Sequence, residues 1–206
     1  VVDDDGNAEP YRPQLSIDDR VALAAARDLA EDVTAVGIGG DPAKRCVRTA
    51  LEGGADAGLH VAYDPIEEAA GDKYATVLAR VAARESPDVV VVGQSSSFAG
   101  AEIATLVGEQ LDWPAATRVT GLGTPDIDAE VSVGQGEIAV QRKLAIGRQE
   151  AVVVESPTVL GIDAGYTDPD RAPLSTVVDG QRAEIETAPL EDVAPVRLVT
   201  PFLHWS

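Results

Sequence analysis

The chain has 206 residues, with 35 acidic against 16 basic side chains and a formal net charge of −19. That length suits one well-filled α/β domain with an extension, and not two large ones. The charge excludes nucleic acid as a partner, because a phosphate backbone needs a basic face to displace its counterions.

Lysine occurs only at Lys44, Lys73 and Lys143, the other basic residues being arginine. Acidity with so little lysine suits concentrated salt, a halophilic reading, because there the self-repulsion that loosens a compact state is screened. An ordinary acidic protein is the other reading. Cys46 is the single cysteine, so neither an internal disulfide nor a Cys-based metal cluster can form. His60 and His204 are too far apart in sequence to look like a local metal motif. The sequence has no apolar run of about 18 residues or more and no cationic apolar leader, so no membrane insertion and a cytoplasmic setting are expected. Methionine is missing altogether, which leads us to expect an incomplete N-terminus or an alternative start codon written as Val1.

In chain order, residues 17–30 read as a helix, with Asp18 and Asp19 near its start and Val21, Leu23, Ala25 and Leu29 in helical spacing. Residues 33–38 form a short strand ending at Gly39-Gly40, and a helix over 42–53 leads to a strand over 58–62. A helix over 72–84 then precedes residues 88–92, an apolar β-branched run without alternation, as in a central parallel strand covered on both faces. Gly93 ends it, and Gln94, Ser95, Ser96, Ser97, Phe98, Ala99, Gly100 and Ala101 make a small-residue loop before a helix over 101–111. Such a loop can turn N–H groups and hydroxyls toward a phosphate at the positive end of the next helix. The alternation predicts an α/β fold with a doubly wound parallel sheet, whose ligand sits beyond the carboxyl ends of the strands, at Gly37, Ile38, Gly39 and at 93–100.

After Pro114 the character changes. Residues 117–120, 130–133, 137–144 and 150–154 read as strands of added antiparallel ribbons, and 158–162 as another buried strand. Pro169, Pro173, Pro189, Pro195 and Pro201 punctuate the end too densely for a long helix. We therefore expect an α/β domain over 1–165 and an extended partner-contacting tail over 166–206. Catalytic constellations are missing: no Ser/His/Asp arrangement, no Gly-Lys-Ser/Thr phosphate loop and no pair of carboxylates stands out, so the chain is read as no enzyme and as holding no metal.

Several segments together resemble the β subunit of electron transfer flavoproteins. They are residues 23–30, the strand Thr34-Ala35-Val36-Gly37-Ile38-Gly39, and Ala50-Leu51-Glu52-Gly53-Gly54-Ala55-Asp56, which has one glycine more than the family's stretch. They continue through Pro87-Asp88-Val89-Val90-Val91-Val92-Gly93-Gln94, Leu111-Asp112-Trp113-Pro114, Val140-Gln141-Arg142-Lys143, the strand from Pro157, and Pro169-Asp170-Arg171-Ala172-Pro173-Leu174. The resemblance covers most of residues 15–185. It implies a Rossmann-like fold of the adenine nucleotide alpha hydrolase-like kind, and a non-catalytic subunit that passes electrons from dehydrogenases to a downstream acceptor. It also implies FAD held mainly by an alpha subunit in a heterodimer, with AMP or a second FAD in this chain. Matched residue by residue, the nucleotide contacts fall on Ser16, Ile17, Asp18 and Asp19, on Gly37 to Gly39, and on Gln94 to Ala101.

The departures are specific. In place of the family's Asp residues and Thr-Gly-Gln or Val-Gly-Gln, residues 95–101 offer serine hydroxyls and backbone N–H groups as phosphate donors. Val1-Val2-Asp3 resembles the end of the family's first strand, so that strand is expected to be missing here. Asp179 to Glu184 replace a lysine-rich segment, and the C-terminal arm is shortened to about 196–206. Tyr166 stands nearest to the leucine that anchors dehydrogenases, as a docking side chain or an inward-packed one. The alternatives are a stand-alone universal-stress-type protein binding ATP or AMP, and a degenerate structural subunit without nucleotide.

The charge reading gives the first prediction. Because the Debye length falls from about 10 Å at 0.1 M salt to about 3 Å at 1 M, the thermal unfolding midpoint should climb steeply over that range. A midpoint indifferent to salt would favour the ordinary acidic protein.

Overall fold

The computed structural model describes residues 15–63, 71–94, 102–123 and 134–193. Ser16 caps α1 (Ile17–Leu29): its oxygen accepts from the Asp19 N–H at 3.0 Å, and Asp18 and Asp19 follow where the helix dipole favours negative charge. Then come β1 (Thr34–Gly39), α2 (Asp41–Glu52), β2 (Ala57–Ala62), α3 (Gly71–Glu85), β3 (Val89–Gly93) and α4 (Ile103–Leu111). Pro42 stands in the first turn of α2, where its missing N–H is harmless. The later strands are β4 (Ala115–Leu122), β5 (Glu137–Lys143), β6 (Gln149–Glu155) and β7 (Thr158–Ile162), and α5 (Leu174–Arg182) leads to β8 (Glu186–Pro189). Elements expected from the sequence through residue 162 agree with these to within two residues at each end, the usual fraying of such boundaries. The strand expected over 130–133 lies outside the described residues.

The strands pair in two sheets, β1-β2-β8 and β3-β7-β4-β5-β6. Within the second, β3, β7 and β4 are parallel, and β4, β5 and β6 form an antiparallel ribbon. Parallel strands between helices agree with the expected α/β fold; among the described residues β1 pairs only with β2 and β3 only with β7, so the parallel strands there form two ladders. Two helices bridge the halves. On one face α1 sets Val21, Ala22 and Ala25 on Val89, Val91, Leu160 and Ile162, while its Leu23 packs with Val47 and Leu51 of α2. On the other, α3 turns Val77 and Val81 to Leu59 and Val61 of β2, and Ala75, Ala79 and Ala82 to Val90, Val159 and the α4 residues Ala104 and Val107. Leu160, Ile162, Val119 and Val140 are fully buried, each worth roughly 1.5–3 kcal/mol of transfer free energy.

The tail expected over 166–206 is corrected in its middle part, where α5 packs on α2 and β8 lies parallel beside β2. Density of proline misled because of where the prolines stand. Pro173 immediately precedes α5 and Pro189 closes edge strand β8, sites that tolerate a fixed φ and a missing N–H. Gly180 lets the helices touch: a Cβ there would lie 2.4 Å from the Glu52 nitrogen. Arg48 of α2 donates from Nη1 to the Gly180 and Ala183 carbonyls, both at 2.6 Å, satisfying acceptors that a helix end leaves open. Body and tail therefore do not divide at residue 165, since described structure packed on the body continues to Val193. Pro195 and Pro201 lie outside the described residues.

Gly180→Val should overpack this contact and cost about 1–3 kcal/mol. Arg48→Ala should cost about 1.5–3 kcal/mol through two charge-assisted hydrogen bonds. Both are read as a lower denaturant midpoint at unchanged slope, and midpoints equal to the parent's would show that α5 does not hold α2.

Candidate functional site

The open end of the second sheet is built around Gly93. A Cβ at this position would lie 2.6 Å from the Asp18 carbonyl carbon, so the absence of a side chain seats the first turn of α1 directly on the end of β3. Two of the three expected groups, 16–19 and 93–94, are thereby brought into contact. Ser16 both accepts from the Asp19 N–H and donates to the Asp19 Oδ2 at 2.8 Å, which fixes the cap, and Ile17 stands 53% exposed beside it. The first N–H groups of a helix have no partner inside it, so the start of α1 presents donors over the strand end.

Gly37, Ile38 and Gly39 are the last residues of β1, in the other sheet. Ile38 packs toward β2 and α3, and the Gly39 carbonyl lies 2.8 Å from His60 Nε2. His60 is 4% exposed on β2, a packed strand residue as its sequence context predicts. Burial chiefly, and then the Asp19 carboxylate, push the Cys46 thiol of α2 above its ordinary value. Asp19 thus lies near the helix that covers β1. Residues 95–101, the expected phosphate loop, and His204 lie outside the described residues.

Three contacts were invisible in the sequence. Gln94 Oε1 accepts the Arg118 N–H at 2.5 Å, tying the end of β3 to β4. Lys143 Nζ meets Asp163 Oδ1 at 3.2 Å just past β7. The Tyr166 hydroxyl donates to Asp28 Oδ2 at 2.7 Å, and its ring packs on the cluster under α1, so the side chain expected to dock a partner is tied inward over part of its surface. No local pattern announces bonds between residues 138 positions apart. Cavities of about 420 Å³, between Arg27, Asp28 and Asp56, and about 500 Å³, between Leu111, Trp113 and Pro157, lie away from this crevice. The linings of these hollows contain none of the expected site residues. Among the described residues no cluster of His, Cys, Asp and Glu could hold a metal, and no helix is long and apolar enough to cross a membrane.

Parallel strands with helices on both faces define an α/β protein, with a helix start seated on the end of one strand. Residues 12–193 match the electron transfer flavoprotein domain family, and the chain belongs to it. It is similar to the electron transfer flavoprotein subunit beta of Methylophilus methylotrophus, at 28% identity over 180 residues covering 87% of this chain and 66% of that protein. The human subunit beta is 27% identical over 176 residues, covering 84% and 65%. That of Syntrophomonas wolfei subsp. wolfei is 25% identical over 178 residues, covering 82% and 65%. The chain spans just under two thirds of the length of these relatives.

Burial first, and the Asp28 contact second, raise the Tyr166 phenol well above its ordinary value. A raised folded value means that the stability from this group is complete below about pH 10 and is lost as pH rises through the folded value. Of the four tyrosines, one should ionise late in a tyrosinate absorbance titration, and Tyr166→Phe should abolish that step. Four tyrosines ionising together would dismiss the Asp28 contact.

Proposed function

We propose that the chain is the β subunit of an electron transfer flavoprotein, a non-catalytic partner in a heterodimer whose α subunit holds the electron-carrying FAD. Electrons from dehydrogenases pass through that flavin to a downstream acceptor, in a cytoplasmic and salt-rich setting. What carries the reading is the family match, which runs from before α1 to beyond β8 and so includes the strands, the crevice and the C-terminal helix.

In this reading the chain also holds a nucleotide of its own, AMP or a second FAD, in a Rossmann-like site. Ser16 to Asp19, Gly37 to Gly39 and Gly93 to Ala101 would contact it. The reading draws support from the start of α1 over the side-chain-free Gly93, because a helix start favours an anion. A flavin supplies one-electron and two-electron transfer when bound; this chain orients and shields it, and no acid or base is asked of its residues. Tyr166, with the part of its ring left outside, would contribute to dehydrogenase docking.

The test is purification in concentrated salt from the native source, followed by mass spectrometry of what denaturation releases. A yellow two-chain complex releasing FAD and AMP, or two FAD, is expected. A colourless homodimer releasing ATP would overturn the reading in favour of a stand-alone nucleotide sensor.

A further inference from the structure

The contact between Gln94 and Arg118 ties the end of β3 to β4 across the strand between them. β4 runs parallel to β7 until its register shifts between Ala116 and Val119, and at the shift Arg118 takes a φ of 59°. Glycine is the residue that adopts this backbone easily, and an arginine held there is the kind of outlier that accompanies a site. Gln94 crosses Gly161 of the central strand to reach it. The place of a Gly161 Cβ is 3.4 Å from Gln94 Oε1 and 3.1 Å from Ala104 Cβ, so the amide passes directly over this glycine and a side chain at 161 would press on α4 beside it. Val119 and Gly93 both pair with Ile162, which puts Arg118 level with the carboxyl ends of β3 and β7. Arg118 is exposed.

The neighbouring cations are already engaged. Arg142 pairs with Glu150 and Lys143 with Asp163, whereas the Arg118 guanidinium has no hydrogen bond or ion pair among the described residues. The crevice otherwise carries Asp18 and Asp19 in the first turn of α1, which already answer the helix dipole. An anion entering a chain of net charge −19 therefore needs a cation in direct contact, because screening removes long-range attraction in concentrated salt. A guanidinium, with its planar fork of donors, suits phosphate.

We propose that Arg118 is the side chain that meets the phosphate of the nucleotide bound at the ends of β3 and β7, and that Gln94 is the residue that positions it. This rests on the proposed nucleotide site and adds to it a residue in β4. The test uses the full chain with whatever partner co-purifies, stripped of nucleotide and titrated with AMP and then FAD. Arg118→Gly removes the cation while easing the backbone, so thermal stability should hold or rise as the dissociation constant weakens at least tenfold. Arg118→Lys should fall between the two, and Gln94→Leu should weaken binding less in the Arg118→Gly background than in the parent. Unchanged affinity in Arg118→Gly would overturn the proposal and leave the nucleotide reading standing. A parent that binds neither AMP nor FAD would overturn both.

Discussion

Everything at the ligand end depends on one close approach, the first turn of α1 lying on Gly93. Because the Asp18 backbone occupies the space of a side chain there, α1 starts where β3 stops, and the direction of the helix follows. From that start its stripe of Val21, Ala22 and Ala25 falls on Leu160 and Ile162, and Leu23 reaches α2. A side chain at 93 would lift the helix start, opening the crevice and the packing below it together. Site and core are therefore not separate achievements of this fold.

Charge is distributed to the same end. With few cations in a very acidic chain, several of them serve carbonyls and edges: Arg27 donates to the Gly53 carbonyl, Arg48 to the end of α5, and Arg84 joins Glu85 and Glu186. Exposed pairs such as Arg84 with Glu186 contribute little in strong salt. Contacts of arginine with backbone carbonyls are short and geometric, and depend less on the field of the whole molecule. That choice keeps these links in place on a very acidic surface.

What could be read in the sequence was whatever has a local cause. The runs at 89–93 and 158–162 are apolar, β-branched and bounded by turn residues, and Ser16 with Asp18 and Asp19 marks a helix start, so these elements and half of the crevice were legible. α5 and β8 were not. Gly180 reads as a helix breaker until α2 is beside it, and β8 buries little beyond Ala188, too small a signal among prolines. Arg118 was hidden differently: it lies inside a segment that reads as an ordinary strand, and its backbone is set by Gln94, 24 residues away. The inward bond of Tyr166 to Asp28 is of the same class. Long-range polar contacts leave no periodicity for a reader of sequence to find.

The one-sided pairing of β1 and β3 has a mechanical meaning. Among the described residues no ladder joins the two sheets, so cohesion across that line comes from α1 and α3, whose contacts on the second sheet are largely alanine and valine. Such surfaces exchange one van der Waals contact for another with little penalty, whereas a ladder must break to move. Along the line between β1 and β3, the described residues therefore join the two sheets through side-chain packing of helices and not through backbone hydrogen bonds.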